Sequence, residues 1–144
     1  MHTNMKGVTL LELMIVVVVV GILSITAYPA YRNYATRAQR TDAKAALLRI
    51  ATAQEKFFLT NATYTTNLAA PPAGLGIATT DHGYYNIAVV AGAGGIGVSY
   101  TATATAPVGS GQYSDVGCRT FSITEAGTAS ATDSGGGDNT AECW

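Results

Sequence analysis

The longest pattern in the chain is a run of apolar side chains near its start. Leu13 to Leu23 is unbroken in apolar character, and extending it from Leu10 to Tyr28 admits only Glu12, Ser24 and Thr26 as polar residues. As a helix, those 19 residues span about 28 Å, close to the thickness of a bilayer's hydrocarbon core. The β-branched valines of the run are mediocre helix formers in water. In lipid the helix still wins, because every backbone N–H and C=O must be paired within the segment. Gly21 lies inside the run and Pro29 follows it. Glycine weakens a helix by about 1 kcal/mol relative to alanine, and proline removes a hydrogen bond and crowds the preceding turn. Gly21 to Pro29 is therefore a stretch where the helix can bend or melt.

From Ala30 to about Leu59 the period changes. Ala43, Ala46, Leu47, Ile50, Ala51, Phe57 and Phe58 recur at spacings of mostly three or four, with Arg40, Lys44, Arg49, Thr52 and Lys56 on other positions. This predicts one long helix whose second half lies against a sheet. Asn61-Ala62-Thr63 fits a glycosylation sequon but reads better as turn chemistry. Residues 65–83, rich in Thr, Ala, Pro and Gly, predict a loop. Strands are expected at Tyr84 to Val90, Val98 to Thr105 and Arg119 to Thr124, with glycine-rich turns at 92–97 and 109–111. No crossover helices separate them, so the sheet should be antiparallel, with three or four strands. Gly127 to Asp138 is polar and should be floppy if left free.

Composition and charge sharpen this picture. Apolar residues make up 48% of the 144 and charged ones 12%, which excludes a disordered chain. The net charge of −1 supplies no global field toward nucleic acid or anionic lipid. The charges are segregated: beyond Lys56 the one basic residue, Arg119, stands against six acidic ones, a formal 1 − 6 = −5. Direct DNA capture by that part would need Arg49, Lys56 and Arg119 to converge. Cys118 and Cys143 suggest a disulfide outside the cytosol, the alternative being two unrelated thiols. Arg32, Arg37, Arg40 and Lys44 follow the apolar run, against Lys6 before it. By the positive-inside rule that would put the C-terminal part in the cytoplasm, opposite to what the cysteines suggest.

Candidate chemistry is sparse. Asp81-His82-Gly83 reads as a solvated loop rather than a catalytic base. No nucleophile elbow or phosphate loop is present, and no cofactor or metal site is expected. Asp133-Ser134-Gly135-Gly136-Gly137-Asp138 carries oxygen ligands that calcium could use, but reads first as a solvated loop. Glu12 is the exception. A carboxylate inside an apolar run costs roughly 2.5–3.5 kcal/mol at mid-bilayer and calls for a cationic partner, or for a place near the headgroups.

Lys6-Gly7-Val8-Thr9-Leu10-Leu11-Glu12-Leu13-Met14-Ile15-Val16-Val17 resembles the class III signal of type IV prepilins, with Val8 where the family usually has Phe. The resemblance implies cleavage by a prepilin peptidase between Gly7 and Val8 and methylation of the new amine. That amine, largely cationic at neutral pH, would pair with Glu12 of a neighbouring subunit during assembly. Residues 45–58 and 60–65, with Cys143-Trp144, are similar to PilE-type minor pilins. This implies a type IV pilin fold of class α+β, with a disulfide loop between Cys118 and Cys143. Such a bond would enclose about 26 residues and contribute roughly 3.5 kcal/mol. The implied organisation is a leader at 1–7, a transmembrane and assembly helix at 8–29, its amphipathic continuation at 30–60 and a β head at 61–144. In resembling filaments the Gly21 to Pro29 stretch loses helicity on assembly.

The expected function is a non-enzymatic subunit, of minor type, in a type IV pilus used for adhesion, twitching motility or DNA uptake. Its partners would be other pilins, the prepilin peptidase and the assembly machinery of the bacterial inner membrane. The resemblance places the C-terminus in the periplasm before assembly and in the extracellular filament afterwards. Direct DNA binding is disfavoured on charge. The alternatives are a type II secretion pseudopilin and a DNA-receptor minor pilin of a competence pilus.

Overall fold

The computed structural model describes residues 7–144. Helix α1 runs from Leu10 to Asn61, 52 residues without a break in helical assignment at Gly21 or Pro29. It starts where Thr9 supplies an N-cap: the Thr9 hydroxyl accepts the Glu12 N–H at 3.2 Å, and its carbonyl accepts from Leu13 at 3.2 Å. It stops at Ala62, which takes the left-handed conformation (φ 54°) and returns its N–H to the Phe58 carbonyl. The chain divides into two compact units that part after Ala35.

In the first unit every described residue through Tyr34 is exposed, since a single helix has nothing of its own to bury an apolar surface against. The second unit, from Thr36 onward, holds a four-stranded antiparallel sheet. Its strands are β1 (Asn86–Ala91), β2 (Tyr100–Thr105), β3 (Thr120–Thr124) and β4 (Ala129–Thr132), in sequence order across the sheet. Alternation works as expected: Tyr100, Ala102 and Ala104 of β2 and Phe121 and Ile123 of β3 face one core, which Ala43, Leu47 and Ile50 of α1 also enter. Small alanines on both sides leave room for Tyr85 and Phe121, whose rings meet edge to face at 5.6 Å.

Two expectations need correction. The segment read as floppy if left free is not free, and it contains β4, paired to β3 with Phe121 opposite Ala131 and Ser122 opposite Ser130. A short polar strand carries little propensity of its own. Here pairing supplies it, together with buried Ala131, a 2.6 Å Ser122–Ser130 hydroxyl contact and the Trp144 indole N–H donated to the Ser130 carbonyl. Residues 109–111 are also more than a turn, because Gly111–Ser114 forms a 3-10 helix capped by Ser110. A second short helix, α2 (Thr140–Cys143), carries Cys143 to Cys118, and the two are joined as a disulfide with Cα atoms 5.7 Å apart.

Candidate functional site

The N-terminal motif is legible in local geometry. Gly7 and Val8 are exposed and precede the first helical residue, so the peptide bond between them lies in accessible chain outside the helix. Glu12 sits in the first turn of α1, where a carboxylate is favoured by the helix dipole. The cap uses its backbone N–H, while its carboxylate makes no hydrogen bond or ion pair among the described residues. Farther along, Ser24 donates its hydroxyl to the Val20 carbonyl at 2.7 Å and Thr26 to the Leu23 carbonyl at 3.0 Å. Such back-bonds compete with the helix ladder. Gly21 and the N–H missing at Pro29 add to this between residues 20 and 29, while similar back-bonds occur at Thr52 and Thr60 of the same unbroken helix.

In the second unit the three cations singled out on sequence do not all meet. Arg49 and Lys56, two turns apart on one face of α1, line an open groove of about 730 Å³ with Leu48, Thr52, Phe57 and, from the loop, Pro71, Pro72 and Leu75. Arg49 reaches Asp81 at 2.8 Å, with both side chains well exposed. Arg119 is spent elsewhere. Its guanidinium lies 3.8 Å from the Tyr113 ring centroid and donates to the Tyr113 carbonyl at 2.8 Å.

Sequence reasoning missed the polar groups that fix the head. Arg40 forks onto Asp115 with bonds of 2.8 and 3.0 Å, both side chains largely buried. The Gln112 amide donates to the Tyr85 hydroxyl at 2.7 Å, to the Thr36 carbonyl at 3.3 Å and to Asp115 at 3.2 Å. Burial pushes the Tyr85 phenol far above its ordinary value and the Tyr100 phenol up to about 12, so both stay neutral. Gln54, wholly buried, clamps the loop by trading two hydrogen bonds with the Thr65 backbone at 2.6 and 3.0 Å. Nothing in an amphipathic pattern marks a glutamine or aspartate as inward. The one usable signal was that Asp42 and Gln54 flank the apolar face at Ala43, Ala46 and Ile50.

Asp42 is the buried acid of α1, and its Oδ1 lies 3.1 Å from Nδ1 of His82. Burial works to raise its carboxyl, but the neighbouring Thr80 hydroxyl and His82 outweigh it and hold the group below its ordinary value. Lys44 is lowered, first by burial and then by Arg40. Its ammonium donates to the Trp144 carbonyl at 3.1 Å. Asp133 uses its Oδ1 to accept the N–H groups of Gly135 and Gly137, each at 2.8 Å, which gives its loop a turn role. Among the described residues no three His, Cys, Asp or Glu side chains form a metal-sized cluster.

Residues 29–122 match the family described as type IV minor pilin ComP, DNA uptake sequence receptor. Residues 2–28 match the prokaryotic N-terminal methylation motif. No curated protein matches the chain.

Proposed function

This chain belongs to the type IV minor pilin ComP, DNA uptake sequence receptor, family and is a minor pilin of a type IV pilus, and from that premise we propose that its head is the filament's receptor for a DNA uptake sequence. The observation that carries the reading is the extent of the match. It covers the second half of α1, strands β1 and β2 and the start of β3, well over half of the chain, rather than the methylation motif alone.

Charge counting pulls the other way, but structure weakens that count. Asp115 is buried against Arg40, and Asp133 is engaged by its own loop. The cations open to phosphate are Lys56, which has no ion-pair partner among the described residues, exposed Arg37, and Arg49, whose exposed pair with Asp81 exchanges readily. Two or three phosphate contacts correspond to a salt slope of about −2 to −3 in log K against log[salt]. Affinity would then come more from base-edge or shape contacts than from charge. The test is duplex binding by the full chain in detergent micelles, comparing uptake-selected with scrambled fragments over a salt series. Arg49→Ala and Lys56→Ala should each flatten the slope by about 1. Equal affinity for both duplex pools would sink the receptor reading without touching pilus assembly.

The methylation motif supports the processing steps that accompany this role. Cleavage falls between Gly7 and Val8, the Val8 amine is methylated, and Glu12 meets that amine of a neighbour. The stretch between Gly21 and Pro29 yields its helicity as the filament forms. Before assembly the chain is anchored in a membrane by α1; the inner membrane with a periplasmic head is the orientation that lets pilins, the peptidase and the assembly machinery act on it. The work is assembly and binding rather than catalysis. Mass spectrometry should find a chain starting at Val8 with one extra methyl. Glu12→Ala should deplete the subunit from sheared pili at least about tenfold while leaving its membrane level unchanged, since an unpaired charge in lipid forfeits more than 1.4 kcal/mol.

A further inference from the structure

The eight tyrosines fall into two groups. Five belong to the head and are engaged there. Tyr85 and Tyr100 are buried, Tyr64 packs between Phe58 and Tyr100, Tyr84 stacks on His82, and Tyr113 lies under Arg119. The other three, Tyr28, Tyr31 and Tyr34, stand at three-residue steps on α1 and are 65%, 70% and 74% exposed. Arg32 follows Tyr28 by one turn, its guanidinium carbon 6.0 Å from that ring's centroid. Three exposed phenols and a cation within seven residues form an aromatic and basic collar that nothing among the described residues of the first unit covers.

Position says what covers it. The apolar run from Leu10 fills the hydrocarbon core by Tyr28. At helical rise, Tyr31 lies about 4.5 Å beyond Tyr28, Arg32 about 6 Å and Tyr34 about 9 Å. The headgroup layer on each side of the core is about 5–7 Å thick. Tyr31 and Arg32 thus fall inside that layer and Tyr34 at its outer edge, the depth where amphipathic phenols are most stable. Arg32 there meets lipid phosphate, which its planar fork can hold through two donors. We propose that Tyr28, Tyr31, Arg32 and Tyr34 form a headgroup-binding collar for anionic phospholipid, fixing the depth of the helix before the subunit is drawn into the filament. The inference rests on the membrane-anchored state and is independent of which face of the membrane the head occupies and of whether the head binds DNA.

The experiment uses the full chain in bilayers with and without phosphatidylglycerol. An environment-sensitive probe is attached at Tyr31→Cys, and no free thiol competes because Cys118 and Cys143 are joined. Lipid-borne quenchers at headgroup depth should quench it more than quenchers at the bilayer centre, whereas a probe at Val18→Cys should show the reverse order. Energy transfer from the Tyr31→Cys probe to labelled phosphatidylglycerol should report enrichment that drops about fivefold in Arg32→Gln and is partly kept in Arg32→Lys, which retains the charge without the planar fork. A Tyr31→Cys probe as solvent-quenched as one at the exposed loop residue Val108→Cys would overturn the collar. So would headgroup depth with no change in enrichment on Arg32→Gln. Shielding seen only in assembled pili would assign the stripe to sister subunits and also overturn it.

Discussion

No large apolar side chain from Leu10 to Ile25 is less than 48% exposed, whereas Ala43, Ala46, Leu47 and Ile50 of the same helix are at 0%. One element thus contains two regimes. The first half is regular, apolar and without a core of its own, so all the free energy of covering it comes from outside the chain, from lipid or from neighbouring subunits. The second half is buried within its own unit and contributes to that unit's stability directly. Substitutions should therefore separate cleanly. Head substitutions should change unfolding, and substitutions in the first half should change only anchoring and assembly. Trp144, the single tryptophan, packs on Phe121 in the head and reports the head's unfolding by fluorescence in the full chain.

The largest effect should come from Asp115→Ala. It leaves the Arg40 guanidinium largely buried without a counter-charge and removes an acceptor from Gln112. A loss of about 3–5 kcal/mol is expected in denaturant unfolding followed by Trp144, because breaking a buried pair strands the remaining charge. A loss under 1 kcal/mol would mean that water reaches Arg40 and that the network is peripheral. Next comes the disulfide. Reducing Cys118–Cys143, which are 25 residues apart, should lower stability by about 3.5 kcal/mol through loop entropy. It should also free β4 and α2, which deuterium exchange at residues 129–143 would detect before the rest of the sheet opens. The sharpest form of the comparison is a pair of truncations. Leu47→Ala, wholly buried, should cost about 3 kcal/mol. Val16→Ala, 52% exposed in the first unit, should leave the Trp144 transition unmoved while weakening incorporation into pili. Any effect of Val16→Ala on head unfolding breaks the division drawn above.

The same contrast explains what could be read from the sequence. The first half of α1 needed only a hydropathy run and the Gly7 to Glu12 spacing, because its environment is uniform lipid and its motif is local. The head resisted. Its core uses Ala102, Ala104 and Ala131, which carry little strand propensity. Strands β1 to β3 still showed through Val89, Tyr100, Phe121 and Ile123, whose size marks an inward face. Strand β4 had no such residue and was lost in a polar tail. Asp42, Gln54, Gln112 and Asp115 were invisible for a different reason. Whether a polar side chain is buried depends on a partner many residues away, such as Thr65 for Gln54 or Arg40 for Asp115, and periodicity carries no record of that partner. The charge sum beyond Lys56 has the same blind spot, since it counts Asp115 as surface charge although Asp115 is buried against Arg40, which lies before Lys56.

The smallest effect expected lies at Asp42 and His82, and its sign distinguishes an internal pair from a surface decoration. Asp42 belongs to the buried face of α1, while His82 is a 69% exposed loop side chain. Burial raises the Asp42 carboxyl, and the lowering by Thr80 and His82 exceeds it, so the folded value lies below that of the unfolded chain. A carboxyl lowered on folding gives stability that is present above the unfolded value near pH 4 and lost as pH falls through the folded one. His82→Asn removes one of the lowering contacts. The variant should be less stable than the parent at neutral pH by no more than about 0.5–1 kcal/mol, since the partner is exposed and screened. The difference should shrink to nothing at a pH low enough to protonate Asp42 in both. Urea midpoints measured through Trp144 across that range provide the check. A gap that stayed constant down to the lowest pH would show that His82 acts by packing on Tyr84 and not through the Asp42 charge.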